Sequence, residues 1–170
     1  IYKTTDFGKT WKQATGDLPK GHPLAYAMSI AENPNRKGML FAGTGNAFYY
    51  SMNDGANWTQ FKQGLPAAPV SWIETPKEWH DVVVSTYGRG IYVLRDITPL
   101  EEKDKAAVAT DFHLYTPRAG FREARGGRAD VQFELKSVPA SLIKLEILDS
   151  AGAVIRTLNG RGRPGLNKVA

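Results

Sequence analysis

The chain has no cysteine among its 170 residues and only three histidines. The first absence excludes disulfide bonds, a thiolate nucleophile and cysteine-ligated zinc. His22, His80 and His113 stand too far apart in the sequence to form a metal-binding motif. A phosphate-binding loop is missing as well, because the Gly-Thr-Gly stretch at 43–45 lacks the later glycine and the helix that such a loop requires. We therefore predict neither a metal nor a cofactor.

Long apolar runs are also absent, since none approaches the roughly 18 residues that a membrane-spanning helix needs. The net charge is +5, and part of it comes from two groups of arginines. They are Arg118, Arg122, Arg125 and Arg128, and Arg156, Arg161 and Arg163. Such groups can meet phosphates or acidic glycans, but no helix-turn-helix, RNA-binding signature or zinc spacing accompanies them. We interpret them as solvated segments and predict no nucleic-acid partner and no membrane insertion.

What the chain does have is an eight-residue pattern that occurs twice, at 4–11 and at 51–58, which are 47 residues apart. Each copy has a hydroxyl at its first position, Asp or Asn at its third, Gly at its fifth and Trp at its eighth. The residues are Thr4, Asp6, Gly8 and Trp11, and Ser51, Asn53, Gly55 and Trp58. A period of roughly 40–50 residues with strand-rich units is the signature of a β-repeat array.

The spacing of this pattern predicts a compact hairpin turn. Asp6 and Asn53 are short acceptors for backbone N–H groups that follow them, and glycine two positions later tolerates the positive φ of a tight turn. The indole then covers the turn while its N–H reaches a carbonyl. We therefore interpret the pattern residues as structural turn residues rather than catalytic ones.

Between the two copies the alternation of apolar and polar residues predicts one complete four-stranded antiparallel unit. Its predicted strands are 25–31, 39–44, 47–51 and 58–62. A third unit has predicted strands at 70–74, 82–86 and 91–95, but no fourth strand and no third copy of the turn.

The Thr/Ser-x-Asp/Asn-x-Gly-x-x-Trp pattern resembles the Asp-box, or bacterial neuraminidase repeat, of sialidases, glucan hydrolases and sortilin-like propellers. The resemblance implies an all-β fold with a partial β-propeller of two to three four-stranded blade units within residues 1–100. The Tyr-Gly-Arg-Gly stretch at 87–90 resembles the closing blade of large secreted bacterial propellers related to sortilin and often labelled glycosyl hydrolases. Tyr87 stands where those proteins have histidine.

Residues that would serve a glycosidase are few. Glu74, Tyr87 and Arg89 are the weak catalytic candidates, and Arg95 and Asp81 lie in the same unit. A sialidase needs a tyrosine nucleophile with a glutamate, an acidic proton donor and three arginines, and other glycosidases need two facing carboxylates. The sequence does not place these candidates around one pocket.

The remainder of the chain divides into two predicted parts. Residues 101–128 are interpreted as a linker or helical turn, in which 113–117 followed by 121–122 resembles the connector of the same propeller family. Residues 129–170 alternate as strands do and resemble an incomplete immunoglobulin-like β-sandwich of the type found in flagellar hook-cap proteins. We expect both ends of the chain to be cut inside a domain.

Two functions remain open from the sequence. The first is a non-catalytic structural or binding fragment of an exported bacterial propeller protein, with a glycan or a peptide as its ligand. The alternative is a part of a glycoside hydrolase whose catalytic residues lie mostly outside this chain. The resemblance places the protein outside the cell or in the periplasm, and unpaired strand edges predict self-association.

Overall fold

The computed structural model describes residues 1–120 and 129–169, and it is built almost entirely from short antiparallel strands. The all-β prediction is confirmed. Within the described residues no helix has the length and apolarity needed to cross a membrane. The chain forms two compact units, Ile1–Ile97 and Thr98–Ala170.

The first unit contains three sheets whose strands follow one another in chain order. The first sheet pairs β1 (Tyr2–Lys3) with β2 (Lys12–Gln13). The second has the order β3 (Ala27–Glu32), β4 (Leu40–Thr44), β5 (Phe48–Ser51) and β6 (Thr59–Gln60). The third comprises β7 (Val70–Glu74), β8 (Val82–Thr86) and β9 (Gly90–Leu94). Four strands in the middle sheet and three in the last agree with the strand pattern that the sequence predicts.

The second unit begins with two short helices, α1 (Thr98–Glu101) and α2 (Lys103–Val108). Its strands are β10 (Phe112–Leu114), β11 (Val131–Leu135), β12 (Ile143–Leu148), β13 (Val154–Gly160) and β14 (Gly165–Val169). They form a sheet of order β10-β11-β14 and a separate hairpin β12-β13. The predicted linker therefore carries α2 and β10 in its described part, and its remaining residues, 121–128, lie outside the described residues.

The core of the first unit is centred on β4, all five of whose residues are buried. This strand has partners on both edges, so its backbone groups are hydrogen-bonded on both sides. Phe41 of β4 stacks on Phe48 of β5, with ring centroids 5.7 Å apart. Gly43 lets the third sheet come close, because a Cβ atom there would lie 2.5 Å from Val70 Cγ1. The second and third sheets thus share one packed interior.

Trp58 fastens the first sheet to the second. Its indole is 8% exposed, and Nε1–H donates both to Gly55 O at 3.1 Å and to Ala14 O at 3.2 Å. The backbone N–H of Trp58 also donates to Asp17 Oδ1 at 2.6 Å. The chain segments that contain Gly55 and Ala14 lie close together, since a Cβ atom on Gly55 would lie 2.8 Å from Ala14 Cβ. One tryptophan therefore satisfies two carbonyls and packs the loop after β2 onto the turn after β5.

The two pattern tryptophans give a matched test of this role. We expect Trp58→Ala to lower the free energy of unfolding by about 3–5 kcal/mol, because it removes a buried aromatic side chain. Trp11→Ala should cost less than about 1 kcal/mol, because the Trp11 indole is 61% exposed. Urea denaturation followed by tryptophan fluorescence measures both, since all four tryptophans lie in the first unit. Equal costs for the two variants would contradict the role assigned to Trp58.

Candidate functional site

The two copies of the eight-residue pattern form turns with the same hydrogen bonds, and we call them the first turn (4–11) and the second turn (51–58). In the first turn the N–H of Gly8 donates to Thr4 Oγ1 at 2.8 Å, and the N–H of Thr10 donates to Asp6 Oδ1 at 2.8 Å. Trp11 Nε1 closes the turn on Gly8 O at 3.1 Å. Gly8 has φ +88°, a value that favours glycine.

The second turn repeats each of these contacts. The N–H of Gly55 donates to Ser51 Oγ at 2.9 Å, and the N–H of Asn57 donates to Asn53 Oδ1 at 2.9 Å. Trp58 Nε1 again donates to the glycine carbonyl, and Gly55 has φ +81°. The side-chain oxygens of Asp6 and Asn53 therefore accept hydrogen bonds from the backbone of their own turns, as the spacing predicts.

Asp6 differs from Asn53 by carrying a charge. Its Oδ2 accepts the Thr10 hydroxyl at 2.6 Å, and its Oδ1 accepts the Thr4 hydroxyl at 2.9 Å. The bonds from the Thr10 hydroxyl and N–H, together with that of Thr4, lower the pKa of Asp6 below its usual value. These bonds stabilise the ionised carboxylate in place, so Asp6 is poorly suited to donate or accept a proton in a reaction.

The third sheet separates the weak catalytic candidates from one another. Glu74 ends β7 opposite Val83, whereas Tyr87 and Arg89 lie in the β8–β9 turn at the other end of the sheet. Strands rise by about 3.3 Å per residue, so the four steps from 70 to 74 separate the two ends by roughly 13 Å. The carboxylate of Glu74 accepts a weak bond from Trp72 Nε1 at 3.4 Å. All three candidate side chains are exposed, with Glu74 at one end of the sheet and the other two at the opposite end.

Asp81 lies at the same end of the sheet as Glu74, just before β8 begins at Val82. Its Oδ1 accepts the backbone N–H of Asp96 at 2.8 Å, where Asp96 is buried and has φ +56°. The hydrogen bond from Asp96 to Asp81 therefore helps to hold Asp96 in the left-handed conformation, which few residues other than glycine adopt. This contact gives Asp81 a role in holding the segment after β9.

The three histidines occupy three different settings. His22 Nδ1 accepts the N–H of Leu24 at 3.1 Å, and His80 Nδ1 lies 3.2 Å from Asn35 Nδ2. His113 Nε2 lies 3.0 Å from Glu102 Oε2 in the second unit. Among residues 1–120 and 129–169, no group of three or more potential ligands is arranged to hold a metal ion.

A connected set of ionisable groups that sequence reasoning did not predict lies in the second unit. Glu102, just before α2, contacts His113 of β10 and accepts the Thr116 hydroxyl at 2.6 Å. Lys105 Nζ lies 3.5 Å from Glu102 Oε1, the atom that also accepts the Thr116 hydroxyl. Burial alone raises the pKa of Glu102, but the bonds from Thr116 and His113 and the charge of Lys105 outweigh it and lower the pKa. Glu102 thus ties the helix to the strand.

A second carboxylate, that of Glu134, lies on β11, the strand that pairs with β10. Glu134 of β11 is paired with His113 across the strands, and its Oε2 accepts the Tyr115 hydroxyl at 2.8 Å. The hydrogen bonds from Lys136 and Tyr115 lower the pKa of Glu134. Burial, followed by the nearby carboxylates, raises the pKa of Tyr115 well above its usual range. Every member of this set has a partner, so it can orient the strands but presents no free nucleophile.

Asp17 was also missed by the sequence analysis. Its carboxylate accepts the Trp58 N–H at 2.6 Å and Asn57 Nδ2 at 3.3 Å, and the first of these bonds is the main cause of its lowered pKa. Asp17 lies 40 residues before Asn57 in the chain, and a local pattern does not reveal contacts of that range.

None of the protein-family models, curated proteins or solved structures compared with the chain matches it.

The titration of Asp6 yields a prediction on pH. Because the folded pKa lies below the unfolded value of about 3.9, the ionised Asp6 stabilises the fold above pH 4. This contribution is lost as the pH falls through the lower, folded pKa. Asp6→Asn reproduces the residue of the second turn and does not titrate. The difference in melting temperature between wild type and Asp6→Asn should therefore shrink below about pH 4, and a constant difference from pH 7 to pH 3 would contradict the assignment.

The Glu102 contacts yield a prediction for the second unit. We expect Glu102→Ala to destabilise this unit by about 1–3 kcal/mol, because the hydroxyl of Thr116 and the ring of His113 lose their partner. Lys103→Ala, at an exposed site on α2, is the control and should change stability by less than about 0.5 kcal/mol. Hydrogen exchange of the β10 and β11 amides measures both changes. Unchanged exchange in Glu102→Ala would show that the contacts do not hold the strand.

Proposed function

We propose that the chain is a non-catalytic structural and binding part of an exported bacterial Asp-box propeller protein, followed by an immunoglobulin-like module. The protein containing it would act outside the cell or in the periplasm. Its ligand would be a glycan or a peptide, bound on surfaces that the strands and turns present rigidly.

The observation that carries the proposal is the separation of Glu74 from Tyr87 and Arg89 at opposite ends of the third sheet. Glycosidases need two carboxylates about 5–9.5 Å apart on either side of the scissile bond. The other candidate acid of this unit, Asp81, uses its Oδ1 to accept the backbone N–H of Asp96. Asp6 and Asn53 are bound within their own turns.

The packing of the first unit supports the propeller part of the proposal. The first strands of successive sheets, β3 and β7, lie side by side without a backbone ladder between them. Ser29 Oγ donates to Val70 O at 2.9 Å, and Thr75 Oγ1 donates to Glu32 O at 3.1 Å. Successive small antiparallel sheets that pack side by side are compatible with neighbouring propeller blades, although the third sheet has three strands where a blade typically has four.

Exposed aromatic side chains on and near these first strands are the candidate contacts for a ligand. Trp72 on β7 is 65% exposed, and Tyr26 precedes β3 with more than half of its surface exposed. Trp79 is also exposed, whereas Tyr49 is buried in the core and is not available to a ligand. Aromatic rings on rigid strands provide contact area at little entropic cost.

A turnover assay tests this proposal. We expect no hydrolysis of aryl-glycosides, a sialoside or a glucan oligomer above the uncatalysed rate, for wild type and for Glu74→Gln alike. A glycan and peptide panel measured in parallel should yield binding that Trp72→Ala weakens while the melting temperature is retained. Hydrolysis that is lost in Glu74→Gln would overturn the proposal in favour of a glycoside hydrolase.

A further inference from the structure

One edge of β13 is an unpaired strand edge with an unusual charge. β13 is seven residues long, and within residues 1–120 and 129–169 it pairs with β12 alone, so no described strand covers the N–H and C=O groups of its other edge. We define the β13 edge as residues 154–160 together with Arg161 and Arg163, which follow directly. Strand edges of this kind readily accept an added strand.

The charge along the β13 edge is entirely positive. No Asp or Glu occurs from 154 to 169, and the side chains of Arg156, Arg161 and Arg163 are exposed. Within residues 1–120 and 129–169, no carboxylate forms an ion pair with any of these three arginines. Lys168, the other cation of this stretch, is instead held by Asp130 at 2.6 Å. The three guanidinium groups are therefore available to a partner.

The backbone that carries the last of these arginines is fixed. The N–H of Arg163 donates to Asn167 Oδ1 at 3.1 Å, and Asn167 Nδ2 donates back to Arg163 O at 2.7 Å. Asn167 belongs to β14, which is paired with β11. Arg163 thus keeps its place relative to the sheet, and ordering it on binding costs less than it would in a free loop.

The distribution of side chains indicates what kind of strand fits. Val154 and Ile155 are more than half exposed at the start of the edge, and Leu158 is partly buried. A second copy of the chain is a poor fit, because antiparallel self-pairing brings the arginines of two β13 strands together without any acid. A strand with acidic and apolar residues meets both features, since carboxylates pair with guanidinium groups in bidentate geometry.

We propose that the β13 edge binds an extended acidic peptide segment as an added β-strand. The seven residues of β13 span about 23 Å, and the five steps from Arg156 to Arg161 span about 16 Å. A segment of seven residues therefore covers either the whole of β13 or the stretch from Arg156 to Arg161. Backbone hydrogen bonds supply the affinity, and the arginines select acidic sequences over basic ones. This proposal specifies a partner for the binding role proposed above and rests on it.

Binding of a synthetic peptide to the full chain tests the proposal. The probe is a fluorescein-labelled, acetylated heptapeptide in which glutamate and valine alternate, followed by fluorescence polarisation. The matched peptide has lysine in place of glutamate, and a third carries N-methyl groups at alternate residues, which removes backbone donors. We expect the glutamate peptide to bind at least about tenfold more tightly than either of the others.

Charge reversal on the chain provides the second arm. We expect the triple variant Arg156→Glu, Arg161→Glu, Arg163→Glu to lower the affinity at least about tenfold. Lys62→Glu, an exposed position in the first unit, should leave it unchanged. Should the triple variant misfold, as judged by circular dichroism, Arg156→Gln replaces it and should lower the affinity about threefold. Backbone amide shifts confined to 154–160 would identify the edge.

The outcomes separate the two proposals. Equal binding of the glutamate and lysine peptides, equal binding of the N-methylated peptide, or no effect of the arginine variants would each overturn the peptide site. Hydrolysis of a glycoside would overturn the non-catalytic function and leave the peptide result as measured.

Discussion

The hydrogen bonds of the Trp58 indole are the interaction on which the first unit depends. A single N–H donates to Gly55 O within its own turn and to Ala14 O in the preceding sheet. The buried ring lies in one apolar cluster with Leu18, Leu40 and Tyr49. Without it, the loop after β2 would lose its main contact with the second sheet, and two carbonyls would lose a donor. Local turn geometry and packing between sheets are thus joined in one side chain.

The two copies of the turn have the same local hydrogen bonds, but their tryptophans differ in burial because the surrounding residues differ. The loop at 14–17 packs over the second turn and covers Trp58. The carboxylate of Asp17 in this loop accepts the backbone N–H of Trp58. In the first turn Trp11 makes the same bond to Gly8 O, but its ring is 61% exposed, since none of the described residues covers it as the loop at 14–17 covers Trp58. In both turns the side chain at the third position accepts a backbone N–H of the same turn, which stabilises the turn.

The second unit depends more on polar contacts than on a large core. Glu102 and Glu134 lie near His113, and each carboxylate has further donors around it. An apolar cavity of about 380 Å³ lies between the sheet and the β12–β13 hairpin. It is lined mainly by Phe112, Leu114, Phe133, Leu135, Ile143 and Leu145. The hairpin is accordingly less enclosed than the strands of the first unit. The side chain of Arg156 on its outer strand, β13, is exposed to solvent.

The sequence by itself determined the strands and the turns, because these depend on residues close to one another in the chain. The predicted bounds of β7 and β8 agree with the structure, and the spacing of the first turn predicts that Asp6 accepts a backbone N–H and that the Trp11 indole reaches a carbonyl. Such features follow from alternation and from backbone preferences, which act over a few residues.

Only the tertiary structure decided which of these residues are buried and which acids face one another. Trp11 and Trp58 occupy equivalent positions in the pattern, yet their exposures are 61% and 8%. Glu74 and Tyr87 belong to one predicted unit, yet antiparallel pairing places them at opposite ends of the sheet. Asp17 and Glu102 have partners 41 and 11 residues away, respectively. The physical reason is that burial and long-range pairing depend on which elements pack against one another in the folded chain, and local spacing does not encode this.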